Sequence, residues 1–271
     1  MVTLADVALV FVAGLITALA TGLGAVPFFL VEDISDRWNV ALWGLASGIM
    51  VSASTFGLLF EGASNAGGPF DYLLIAVGAG AGVLLVVAGH RVVSGAEIHP
   101  KRYEEADVRK LALILGVLTI HSFPEGVAIG VSFADLNLGG AETLPLFGYA
   151  VPLLAVFMTV AISIHNIPEG VAISIPLRSM GVPEPRMVWW SVFSSLPQPV
   201  GAVIAFYFVR AAREFLPVGF GFAAGAMIYL VATEFVPEGL ETGRSLPGGG
   251  KRELAGGFVV GVLLMAPLAV I

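Results

Sequence analysis

Apolar runs of about 20 residues follow one another along the whole chain, each long enough to cross a hydrocarbon core of roughly 30 Å. Short polar segments delimit eight of them, at about 7–30, 40–61, 71–93, 110–134, 147–176, 187–209, 216–238 and 254–271. This pattern predicts eight transmembrane α-helices in a single domain, 1–271, and hence an all-α polytopic membrane protein. The connections leave no room for a soluble domain. Composition agrees: 57% of residues are hydrophobic, 12% are charged, and mean hydropathy is +0.93, far outside the globular range. The N-terminal MVTLADV lacks the basic flank of a cleaved signal segment, so the first span is expected to be retained.

The few charges set the orientation. Connections after spans one, three, five and seven carry Arg37; Arg91, Lys101, Arg102, Arg109 and Lys110; Arg178 and Arg186; Arg244, Lys251 and Arg252. These are 11 of the 13 basic residues, and only Arg210 and Arg213 fall on the opposite side. The positive-inside rule therefore places the 94–108 loop in the cytoplasm and both termini outside, as for a prokaryotic plasma membrane. The net charge of −7 is spread over loops without a basic stripe, which excludes nucleic acid as a partner. The absence of cysteine excludes disulfides and thiolate ligands.

Two of the apolar runs carry residues that a bilayer penalises. HSFPEGVAI at 121–129 returns 44 residues later as HNIPEGVAI at 165–173, identical at seven of nine positions. An ionisable side chain at bilayer depth costs roughly 3 kcal/mol, and a proline inside a helix about as much again. A chain that carries His, Pro and Glu together twice holds them for chemistry rather than packing. His121 lies about half-way along its span, and His165 slightly past the middle of its own.

A second repeat is quieter. SGIMVSASTFGLLFEG at 47–62 aligns without gaps on AGAMIYLVATEFVPEG at 224–239, an offset of 177 that also lays Gly24-Ala25-Val26 on Gly201-Ala202-Val203. Spans one and two thus echo spans six and seven, which run the opposite way through the membrane. Spans four and five are also antiparallel. Inverted repeats of this kind are the architecture of secondary transporters, with the substrate near the midplane at the repeat interface.

On a helix, His121 and Glu125 are four residues apart and share a face. Ser122 lies about 100° round from His121, and Glu125 falls between the two directions. His165, Asn166 and Glu169 repeat that geometry on the neighbouring span. Facing each other, the two helices offer two imidazoles and two carboxylates, a donor set that suits Zn²⁺ and also Fe²⁺, Mn²⁺, Co²⁺ or Cd²⁺. Pro124 and Pro168 cannot donate to the carbonyls of Ile120 and Ile164, so those carbonyls are expected to be free acceptors beside a cavity.

With these paired motifs the whole chain resembles the ZIP family of divalent-metal transporters, in particular its prokaryotic GufA-like members. The resemblance implies spans arranged 3 + 2 + 3, with spans four and five central, and metal entering from the extracytoplasmic side. It implies His121, Glu125, His165 and Glu169 as the metal ligands, and a metal that is cargo rather than prosthetic group. It implies alternating access in which spans one, four, five and six slide against two, three, seven and eight. Members of the family often hold a second, adjacent ion. Here Ser122 stands where Asn is usual and Gln198 where Glu is expected, while Asn166 is retained, so a second position at these three residues is expected to be weak or empty.

Other polar residues have smaller roles to offer. Glu61 and Glu238 are repeat mates at the two mouths, where they either attract cations or cap span ends in water. Glu234, one turn inside Glu238, is expected to line the cytoplasmic exit. Met50 and Met227, also repeat mates, are either soft contacts on the path or apolar packing. His90 and His99 flank the cytoplasmic loop, as a metal relay or simply solvated. The runs GAGAG at 78–82 and GGFVVGV at 256–262 permit close helix packing, within the bundle or between protomers of a homodimer.

Competing readings have distinct signatures. An intramembrane zinc protease uses H-E-x-x-H, whereas here Glu follows His by four and the second His is on another span. A bis-His haem b electron carrier could use His121 and His165, but has no need of Glu and Pro in both helices. A passive channel in place of a carrier stays open. No enzymatic activity is expected, and the partners are divalent metal ions and the lipid bilayer.

Overall fold

The computed structural model describes residues 2–31, 33–95, 105–138 and 142–266. Helix α1 covers Leu4–Leu23, and its first turn is closed by a capping box. Thr3 Oγ1 accepts from the Asp6 amide at 3.1 Å, and Asp6 Oδ2 accepts from the Thr3 amide at 2.9 Å. The second passage is α2 (Asp36–Ser52), a π-helical segment (Ala53–Leu59) and α3 (Phe60–Ser64). Next come α4 (Pro69–Gly95), α5 (Glu105–Ser132) and α6 (Leu153–Ser179), with α5 and α6 unbroken through Pro124 and Pro168. Pro197 starts a new helix straight after α7 (Glu184–Ser195), so the sixth passage is completed by α8 (Pro197–Ala211). The seventh is α9 (Leu216–Leu230), a π-helical segment (Val231–Phe235) and α10 (Val236–Thr242); α11 (Lys251–Leu264) comes last.

Six stretches of the described residues are long and apolar enough to cross a membrane: Leu4–Phe29, Asp36–Ser64, Pro69–Val92, Leu153–Ser179, Glu184–Ala211 and Arg213–Ser245. Many large apolar side chains on these helices point outward, among them Leu84, Tyr207 and Leu263. Water would penalise such a surface, and lipid solvates it. The protein is a polytopic, mainly α-helical membrane protein. His99, most of the 94–108 loop and the end of the last predicted span lie outside the described residues.

One expected element is corrected. The fifth span was expected from residue 147, and the chain instead forms a two-stranded antiparallel hairpin before α6 begins at Leu153. Its strands are β1 (Thr143–Leu146) and β2 (Tyr149–Pro152). Phe147 and Gly148 turn it with φ of 50° and 83°, the pair of positive angles that a tight hairpin turn needs. Hydropathy counts apolar residues without regard to period, so this ten-residue hairpin reads as the start of a span.

Both repeats are legible in the packing. The 177-residue offset lays Ser54–Leu58 on Val231–Phe235, so the two π-helical segments are repeat mates. It also pairs Gly44 with Gly221 and Gly48 with Gly225. A Cβ on Gly44 or Gly48 would run into the α11 backbone at Leu254 or Phe258, and one on Gly221 or Gly225 into the α4 backbone at Ile75 or Ala79. The glycines after Glu125 and Glu169 behave alike. A Cβ on Gly126 would strike the Gln198 carbonyl, and one on Gly170 the carbonyl of Thr21, the repeat mate of Gln198. Likewise Gly201 backs onto Phe123 and Gly24 onto Ile167. These close approaches bring α8 against α5 and α1 against α6 at the level of the paired motifs.

Candidate metal-binding site

The structure divides the predicted ligands between two groups. Glu125, His165 and Glu169 form one, fully buried, with ligand atoms all within 4.8 Å of one another. His165 Nε2 lies 3.2 Å from Glu125 Oε1 and 4.0 Å from Glu169 Oε2. His121 joins the second group, with His90 of α4 and Glu234 of the seventh passage. Here His90 Nε2 is 3.0 Å from His121 Nε2, and His90 Nδ1 is 3.2 Å from Glu234 Oε1. The two motif imidazoles aim their Nε2 atoms at different partners, whereas a bis-His haem needs them opposed across one macrocycle.

Several buried polar atoms of the first group have no hydrogen-bond partner, namely both carboxylate oxygens of Glu169 and His165 Nδ1, and Asn166 Oδ1, next in sequence, has none either. A buried carboxylate without a hydrogen bond is expensive by several kcal/mol, and a bound cation removes that penalty. Glu125 is different, because Gln198 Nε2 donates to its Oε2 at 2.5 Å. Asn166 Nδ2 donates to the Thr17 carbonyl at 2.7 Å and to Gln198 Oε1 at 3.0 Å. Ser122 is buried on α5. Phe235 stacks on the His165 ring at 5.3 Å between centroids, 17° from parallel, and Trp43 meets Phe235 edge-on at 5.1 Å.

The outlying candidates are dispersed. Glu61 accepts from Asn65 Nδ2 at 2.8 Å beyond the end of α3, and Glu238 is exposed. Met50 and Met227 are buried in the main apolar core. Thr17, Trp43 and Phe235 were not singled out from sequence. Thr17 had one available signal, since it sits one turn before the repeat mate of Gln198. The half-buried ring of His90 flanks the loop, where sequence offers either a metal relay or a solvated residue, and nothing in its spacing announces His121 as its neighbour.

Comparison with known proteins now decides the family. A family model described as ZIP Zinc transporter matches residues 94–269. The chain belongs to the ZIP family. The zinc transporter GufA of Myxococcus xanthus is 30% identical over 260 residues, 93% of this chain and 94% of the relative. The zinc transporter ZIPB of Bordetella bronchiseptica is 34% identical over 228 residues, 81% of this chain and 69% of the relative. An Arabidopsis thaliana relative is 39% identical over 222 residues, and there the match spans 33% of the relative's length. ZIP proteins are transporters and not enzymes, and this one is an integral membrane protein of GufA-like type.

Proposed function

We propose that this ZIP protein carries a divalent cation, Zn²⁺ before Fe²⁺, Mn²⁺, Co²⁺ or Cd²⁺, into the cytoplasm by alternating access across eight spans arranged 3 + 2 + 3. The observation that carries the reading is the Glu169 carboxylate, buried with neither oxygen partnered, beside His165 and Glu125. Two carboxylates and an imidazole exchange for the waters of an incoming ion and neutralise its charge. The ion then moves to His121, His90 and Glu234 on its way to the cytoplasm. Membership of a family that includes proteins named zinc transporters supports zinc as cargo.

Packing supports the division into two moving parts. Among the described residues, each glycine whose added Cβ would strike the backbone of another passage strikes one within its own set. Gly14, Gly24, Gly126, Gly130, Gly170 and Gly201 join passages one, four, five and six. Gly44, Gly48, Gly257 and Gly261 join passage two to eight, and Gly78, Gly82, Gly221 and Gly225 join three to seven. Between the sets, glycines such as Gly89 and Gly219 meet only side chains. Close backbone contacts of this kind stay within a set, while side-chain contacts between the sets allow sliding.

Uptake of Zn²⁺ into proteoliposomes tests the reading. His165→Ala and Glu169→Ala each abolish saturable uptake while the protein stays folded, because either leaves too few ligands. Unchanged uptake affinity in both variants would sink the assignment.

A further inference from the structure

We propose that Gln198 is a positioning residue of the transport site. Its amide N–H anchors Glu125 through Oε2 and fills that side of the carboxylate, so the site takes one divalent cation at a time, through Oε1. This rests on the reading of Glu125, His165 and Glu169 as the transport site.

The hydrogen bonds fix which way the amide faces. The Thr17 carbonyl can only accept, so the Asn166 atom 2.7 Å from it must be Nδ2. The second hydrogen of that nitrogen reaches Gln198 at 3.0 Å, so the atom it meets must be Oε1. The Thr17 hydroxyl lies 2.5 Å from the same oxygen and 2.8 Å from the Gly14 carbonyl, sharing one hydrogen between them. Gln198 Nε2 is thereby aimed at Glu125 Oε2, 2.5 Å away. Turned over, the amide would set its oxygen against a carboxylate oxygen. Thr17, Asn166, Gln198 and Glu125 are all buried, so water does not compete for these bonds.

The repeat shows what this arrangement changes. The 44-residue offset takes Glu125 to Glu169, and the 177-residue offset takes Thr21 to Gln198. Thr21 therefore stands towards Glu169 as Gln198 stands towards Glu125. The Thr21 side chain is shorter, and its hydroxyl pairs with Ser195 Oγ at 2.8 Å. Glu169 keeps both oxygens unpartnered. One carboxylate is thus held in place before an ion arrives, and its mate is free to adjust around that ion. A second cation on Glu125 Oε2 would have to displace a charge-assisted N–H already there.

The test uses the purified full chain with Zn²⁺ alone, counting bound ions by equilibrium dialysis and uptake in proteoliposomes. The ions that disappear on adding Glu125→Ala number one in the parent protein and two in Gln198→Glu. Gln198→Leu raises the KM for Zn²⁺ about tenfold with maximal rate within about threefold, as loss of a charge-assisted hydrogen bond implies. Thr17→Val raises KM less, and Thr17→Val with Gln198→Leu is no worse than Gln198→Leu alone, because Thr17 acts through Gln198. If Gln198→Leu does not fold, Thr17→Val and Gln198→Glu decide the matter. Unchanged KM in the folded variants, or two Glu125-dependent ions in the parent, overturns the proposal. Zn²⁺ binding and uptake that persist in Glu125→Ala, His165→Ala and Glu169→Ala would instead overturn the site itself.

Discussion

His90 Nε2 lies 3.0 Å from His121 Nε2, and the two belong to different helices, His90 to α4 and His121 to α5, which the proposed mechanism assigns to different moving sets. Two imidazole nitrogens this close share either a proton or a metal ion. Tetrahedral zinc with Zn–N bonds of about 2.0 Å separates two such nitrogens by roughly 3.3 Å, so small ring movements admit an ion. Glu234 supplies a carboxyl oxygen 3.2 Å from the other nitrogen of His90. On the proposed path, an ion leaving Glu125 and Glu169 would next meet these groups, which α4, α5 and the seventh passage supply together.

The first prediction concerns that handover. His90→Ala leaves the buried carboxylate site intact and removes the partner on the other helix set. Maximal Zn²⁺ uptake should fall about tenfold while KM changes by less than about threefold, the pattern of a lost ligand at a later step. Initial rates in proteoliposomes over a range of Zn²⁺ concentrations check it. A rise in KM at unchanged maximal rate would place His90 at entry instead.

Much of this was legible in sequence, and its limits have physical causes. The HxxPEG pair marks a candidate site because His, Pro and Glu are each expensive in a membrane. The outer repeat pointed to Gly24 and Gly201, which pack against Ile167 and Phe123, themselves mates under the 44-residue offset. Helical periodicity gives directions within one helix but not how that helix is rotated against its neighbours. Sequence therefore pairs His121 with Glu125 on one face and leaves His90, 31 residues earlier, open between a metal relay and a solvated residue. The amide of Gln198 was judged by charge alone. Its direction depends on Thr17, 181 residues away, which no local pattern reveals.

The second prediction is the pH dependence of metal binding. The ligands take metal only with imidazoles neutral and carboxylates ionised, so each ion bound displaces protons. Protons and metal compete for the same atoms, and lowering pH must therefore weaken binding. Affinity for Zn²⁺ should fall at least about tenfold between about pH 7.5 and pH 5, and binding at the acid end should release more protons. Titration calorimetry in buffers of different ionisation enthalpy measures both quantities. Affinity that stays flat over this range would exclude the histidines as ligands.

The last prediction separates glycines that hold the bundle together from those that merely sit on it. A Cβ on Gly126 would lie 2.8 Å from the Gln198 Cα as well as against its carbonyl, and one on Gly170 would be driven into the Thr21 carbonyl. Backbone atoms cannot rotate away as side chains can, so the helices must part. Gly126→Ala and Gly170→Ala should each destabilise by about 1–3 kcal/mol, the usual penalty for overpacking, and should also lower uptake because the displaced backbone adjoins Glu125 and Glu169 in sequence. Gly80 and Gly256 are the controls: both are helical, and nothing lies within 4 Å of a Cβ at either position. Alanine there meets empty space and gains up to about 1 kcal/mol of helix propensity, so stability should hold or rise. Thermal unfolding of the four variants in detergent, read beside their uptake, makes the comparison. Equal behaviour of all four would mean that α5 and α8, or α1 and α6, are not as closely apposed as these glycines require.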